Sequence, residues 1–142
     1  MAGALAMMVA DTDVLIDYLA GEEPAASRVT LELEHGQLQT TAVTRAELLR
    51  GARTPRQLKA ATTLLEALPT LPLDARAADR AASIARALDG EGQSIGMADA
   101  LIAGIVLSHG GLLLTRNRRH FARIPELRLS MMGNLEPDPD AG

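Results

Sequence analysis

Asp11 and Asp13 follow directly on an apolar run that ends at Val9 and Ala10, and an apolar helical pattern resumes behind them at Val14, Leu15 and Tyr18. That order describes a buried strand delivering carboxylates to a helix start. In open α/β sheets ligands sit in the crevice beyond the carboxyl ends of strands, so acids at that place are candidates for chemistry. A structural role competes with this one, because Thr12 or Asp13 could cap the helix. Asp99 is the next acid of interest. Its helical stripe continues through Ile102, Ala103 and Val106, which aims a carboxylate along an apolar face near a helix start. A buried carboxylate needs a cation, a hydrogen-bond donor or a proton, whereas an exposed one would merely complement the helix dipole.

Two further positions extend the pattern. Glu47 stands three residues after Thr44, the spacing of a capping box, so it has a structural explanation of its own. Asn117 lies just beyond the run of Leu112, Leu113, Leu114 and Thr115, and so follows a strand's carboxyl end as Asp11 does. If both strands lie inside the sheet, Asp11, Thr115 and Asn117 converge with the helix starts that carry Glu47 and Asp99. Carboxylates, an amide and hydroxyls around one hollow repel each other unless a cation joins them. The chain has no cysteine, and His35, His109 and His120 share no ligand spacing. Oxygen donors alone favour Mg²⁺ or Mn²⁺ over zinc. Mg²⁺ usually keeps several waters and accepts substrate phosphate as a ligand, which makes a phosphodiester the natural substrate.

Arg116, Arg118 and Arg119, with Arg123 beyond, adjoin this hollow in sequence and would draw in a polyanion that the acids repel. A solvated loop is the plainer reading of each. His120 is a weaker candidate for substrate contact, while His35 and His109 read as surface or helix-end residues.

Composition narrows the partners. Net charge is -4, with 14 Lys and Arg against 18 Asp and Glu, so any nucleic acid must be gripped locally rather than by bulk attraction. The only aromatics are Tyr18 and Phe121, which argues against a base-stacking platform. With no cysteine there is neither a disulfide framework nor a thiolate metal site. The opening MAGALAMMVA lacks a basic segment and makes a poor signal peptide, and no apolar run approaches the roughly 18 residues of a spanning helix. A soluble, cytoplasmic protein is the expectation.

The elements that must position these residues alternate. Strands are expected near 6–10, 38–41, 71–73, 112–115 and 127–132. Helices run to Ala20, from Pro24 to Gly36, from Thr44 to Gly51, from Thr54 to Leu68, from Asp74 to near Gly90 and from Met97 to Gly110, with a short one after Asn117. The helix after Asp74 is expected to pack Ala78, Ala81, Ala82, Ala85 and Leu88, and the helix after Thr54 to pack Leu58 with Leu64 and Leu65. Strands separated by helices predict an α/β fold, a three-layer α/β/α arrangement with a mainly parallel central sheet. Residues 1–133 form one domain on this reading, and 134–142 a flexible tail.

Four segments, VADTDVLIDYL, TTAVTRAELLRG, IGMADALIAGIV and LLLTRNRRHFARIPELRL, together resemble the PIN-domain family over nearly the whole chain. The likeness is specifically to the toxin ribonucleases of VapBC-type toxin–antitoxin pairs. It implies an acidic Mg²⁺ or Mn²⁺ site that cuts RNA with metal-activated water. Asp11, Glu47 and Asp99 match the family's acids, as metal ligands held directly or through water. Asn117 occupies the fourth acidic position, where many relatives have Asp, and this departure weakens the case for a second metal. Thr12, Asp13 and Thr115 match polar positions that orient the ligands. The resemblance also implies a homodimer and an antitoxin whose C-terminal segment occupies the groove. Two other readings compete. One is a haloacid-dehalogenase-like phosphatase, with Asp11 and Asp13 as its Asp-x-Asp pair and Lys59 as its required lysine. The other is a non-catalytic domain that only binds RNA or a partner.

Overall fold

In the computed structural model, residues 7–132 are described, and the expected tail at 134–142 lies outside them. Five strands form the sheet: β1 (Met8–Ala10), β2 (Leu38–Thr41), β3 (Thr70–Leu71), β4 (Leu112–Thr115) and β5 (Arg128–Met131). Their order is β3-β2-β1-β4-β5, and every neighbouring pair is parallel. The chain builds outward from β1 in one direction and then returns to build outward in the other. The switch between those directions falls at the β1–β4 boundary, where a crevice opens beyond the strands' carboxyl ends.

Helices fill the crossovers: α1 (Thr12–Leu19) and α2 (Ala25–His35) after β1, α3 (Ala42–Gly51) and α4 (Pro55–Glu66) after β2, α5 (Ala75–Gly90) and α6 (Met97–His109) after β3, and the short α7 (Arg118–Phe121) after β4. Strand alternation divides the core into two layers. Met8, Ala10 and Leu114 face Val14, Leu15, Val29, Leu64 and Leu65, while Val9 and Leu113 face Ile84, Ile102, Val106 and Phe121. The sheet is thus covered on both faces, which its apolar, all-parallel strands require.

Several local expectations are corrected. Thr41, not Thr44, caps α3, its Oγ1 accepting from the Thr44 amide at 3.0 Å, so the Thr44–Glu47 capping box does not form. Asp11, rather than Thr12 or Asp13, caps α1. The third strand is Thr70–Leu71 instead of 71–73, and Leu73 is exposed. The stripe of α5 is Ala77, Ala81, Ile84 and Leu88, with Ala82 exposed, and Leu58 on α4 also faces water. One buried feature had no sequence signal: Arg28 pairs with Glu32 on α2 and donates to Ser130 Oγ at 2.8 Å, tying that helix to β5. Among the described residues no helix is long and apolar enough to cross a membrane.

The α5–α6 contact, which sets the angle at which Asp99 enters the crevice, depends on Gly104. A Cβ there would stand 2.5 Å from the Ala77 carbonyl oxygen and 2.9 Å from the Ala81 amide nitrogen, both backbone atoms that cannot swing aside. Gly104→Ala is expected to destabilise by about 3 kcal/mol in chemical denaturation. Gly90→Ala, with nothing within 4 Å of its Cβ, should stabilise slightly by comparison. Equal effects at the two glycines would contradict the close approach.

Candidate active site

The C-terminal end of β1 places Asp11 at the switch point, where it is 4% exposed. Its Oδ1 accepts from the Thr12 amide at 2.8 Å and its Oδ2 from Thr115 Oγ1 at 2.9 Å. Thr115 ends the neighbouring β4, and its hydroxyl oxygen also accepts from the Asn117 amide at 2.9 Å. Burial pushes the Asp11 carboxyl from its ordinary 3.8 up to about 6, and the charges of Asp99 and Asp13 push the same way, against the bonds from Thr115 and Thr12.

Glu47 reaches the site from the middle of α3. Freed from capping, its Oε1 accepts from Thr12 Oγ1 at 2.5 Å. Because a carboxylate only accepts, the Thr12 hydroxyl must spend its proton there. Thr44 Oγ1, 2.9 Å away, is then the donor to Thr12, and Thr41 Oγ1 in turn donates to Thr44 at 3.3 Å. Three hydroxyls thus line up behind one carboxylate, all buried. In the sequence Thr41 reads as a strand end and Thr44 as the capping partner of Glu47, which hides this row of hydroxyls.

Asp11, Thr12, Asp13, Glu47 and Asp99 line one hollow of about 400 Å³, together with Ile16, Arg50, Gly51 and Arg53. Asp99 lies in the first turn of α6, its Oδ2 3.4 Å from His120 Nδ1. The same nitrogen is 3.0 Å from Asn117 Nδ2, so Asn117 meets the site through His120 and Thr115 rather than by lining the hollow. Arg116, Arg118 and Arg119 do not line it either, and Arg116 pairs with Asp17 on α1 at 2.8 Å. Arg50 and Arg53 were missed. The available signal was Arg50's place one helical turn after Glu47, on the same side of α3.

Among the described residues, no three His, Asp or Glu side chains stand close enough together to hold an ion on side chains alone. The donor set nevertheless suits a hard divalent ion. Four carboxylates line the hollow, one of them raised by burial and by its acidic neighbours, and Mg²⁺ is ordinarily held by one or two carboxylates with waters completing its shell.

Sequence and structure comparisons identify the family. The PIN domain profile matches residues 8–127. The chain is 31% identical over 122 residues to the tRNA(fMet)-specific endonuclease VapC of Shigella flexneri, covering 83% of this chain and 92% of that one. The DNA-bound VapBC structure from Salmonella typhimurium matches with a TM-score of 0.80 at 27% identity, over 90% of this chain and 99% of its counterpart. VapBC-1 from nontypeable Haemophilus influenzae matches with a TM-score of 0.77 at 25% identity, over 89% and 98%. The fold is that of a PIN domain. The chain belongs to the PIN-domain family, on the VapC side of it. The phosphatase alternative loses its support, since Lys59 is exposed on α4 and does not line the hollow.

The raised Asp11 pKa has a sign that can be checked. A folded value of about 6 above an unfolded 3.8 stabilises the fold fully below the unfolded value, and this contribution is lost as pH rises through 6. Without divalent ions, thermal stability is expected to fall between about pH 4 and pH 7 by up to about 3 kcal/mol. In Asp11→Asn that decline should be largely absent. An equal decline in both proteins would place the titrating group elsewhere.

Proposed function

We infer that this chain is the toxin of a VapBC-type pair, a divalent-metal-dependent endoribonuclease that hydrolyses RNA phosphodiesters in the cytoplasm. The observation that carries the reading is the gathering of Asp11, Asp13, Glu47 and Asp99 around one hollow at the sheet's switch point. The likeness to an endonuclease named for tRNA(fMet) supports RNA as the substrate. Mg²⁺ or Mn²⁺, when bound, supplies charge neutralisation at the phosphodiester and activation of water.

The roles of the chain's own groups follow from their surroundings. Asp11, Glu47 and Asp99 would hold the ion, in part through water. Thr115 and the Thr12 amide fix both oxygens of Asp11, so this carboxylate enters the reaction already oriented. The Thr12 hydroxyl, backed by Thr44 and Thr41, does the same for Glu47. Asp13 adds negative charge that raises the demand for a cation, and Asn117 offers a neutral amide in place of a further acid.

An antitoxin of the VapB type and a homodimeric toxin complete the proposal. An apolar trough lined by Ile16, Leu19, Ala20, Leu48, Ala52 and Ala61 adjoins the acidic hollow and shares Ile16, Glu47 and Gly51 with it. It supports a covering segment that packs apolar side chains while reaching the acids.

Cleavage of a tRNA pool with Mn²⁺, followed by mapping of the new ends, tests the reading. Defined cuts are expected with the natural chain, none after chelation, and a rate lowered on the order of 10²–10³-fold in Asp99→Asn at unchanged melting temperature. Full activity in that variant would refute the site, and the absence of both Mn²⁺ binding and cutting would favour the non-catalytic alternative.

A further inference from the structure

We propose that Arg50 and Arg53 form the binding site for the RNA phosphate backbone beside the acidic hollow, in place of the Arg116–Arg119 run. The inference rests on the endoribonuclease reading and says which cations bring a polyanion to four carboxylates. Both arginines line the hollow with Asp11, Asp13, Glu47 and Asp99. Both are exposed, and among the described residues neither guanidinium makes a hydrogen bond or an ion pair, although acids line the same walls. Their donors are therefore open to a ligand.

Their placement is fixed from behind. Arg50 sits in the last turn of α3, one turn beyond Glu47. Arg53 lies in the link to α4, where Gln57 Oε1 accepts from its backbone amide at 2.8 Å while the Gln57 amide donates to Thr54 Oγ1 at 3.1 Å. These two bonds hold the link in one shape and leave the Arg53 side chain free for a ligand. A guanidinium offers paired N–H groups that match phosphate oxygens, and the chain's net charge of -4 leaves no general attraction to do the same work. The rival run contributes nothing to the hollow's lining, and Arg116 is engaged with Asp17.

The test uses the full chain carrying Asp99→Asn, to prevent cutting, and a fluorescent mixed-sequence single-stranded RNA oligonucleotide titrated at several salt concentrations with Mg²⁺ present. Replacing Arg50 and Arg53 together by Ala is expected to weaken binding at least tenfold and to flatten the plot of log K against log salt by about 1.4, since each lost contact to a single strand removes about 0.7. The double Lys variant should recover the slope, because the charge returns, with affinity between the two. Arg86→Ala, exposed on α5 and not lining the hollow, serves as the control for bulk charge. Unchanged affinity and slope in the double Ala variant, or the same loss from Arg118→Ala with Arg119→Ala alone, would overturn the proposal while the nuclease reading stands on cutting by the natural chain. Absence of both RNA binding and cutting by the natural chain would overturn the two together.

Discussion

Asp11 is kept almost out of water at the end of the central strand, with each of its oxygens bonded to a different part of the chain, and its carboxyl is pushed up to about 6. A lone ionised acid there is costly, and the neighbouring Asp13 and Asp99 make it costlier. Donors from Thr12 and Thr115 offset part of that cost on one side, and the open hollow on the other leaves room for the proposed cation to offset the rest. The family membership, the proposed ion and the proposed arginine contacts all bear on how that strained charge is met.

The topology makes this possible with few residues. Because β1 and β4 are neighbours at the point where strand order reverses, Asp11 and Thr115 can bond across a separation of 104 positions. The helices that follow β1 and β2, together with α6, bring Asp13, Glu47 and Asp99 to the same place. A close α5–α6 crossing at Gly104 and the buried hydroxyls behind Glu47 then hold those elements in register. Stability and site geometry are coupled, since the same packing serves both.

Much of this was legible in the chain. Apolar runs of strand length followed by Asp or Thr-x-Asn located β1 and β4, and the acids at helix starts located the hollow. Glu47 shows where local reasoning fails. Thr44-x-x-Glu47 has capping-box spacing, yet the strand runs straight into the helix at Thr41, so the cap falls three residues earlier and the glutamate is released to Thr12. The expected stripe of alanine-rich α5 shares Ala81 and Leu88 with the observed one but took Ala78, Ala82 and Ala85 where Ala77 and Ile84 are buried, because the close approach of Gly104 to Ala77 and Ala81 has no local signal. The cations beside the acids depend on the fold in the same way. Proximity in sequence to Asn117 suggested the Arg116–Arg119 run, but a tertiary partner, Asp17, claims Arg116, while Arg50 and Arg53 reach the hollow through the fold.

The central claim is that acids from three separate segments share one divalent ion. Calorimetric titration of Mn²⁺ into the purified chain at neutral pH tests it most directly. A single binding event that disappears in Glu47→Gln and again in Asp99→Asn, with both variants still folded, is the predicted result. Mn²⁺ affinity left intact by both substitutions would contradict it.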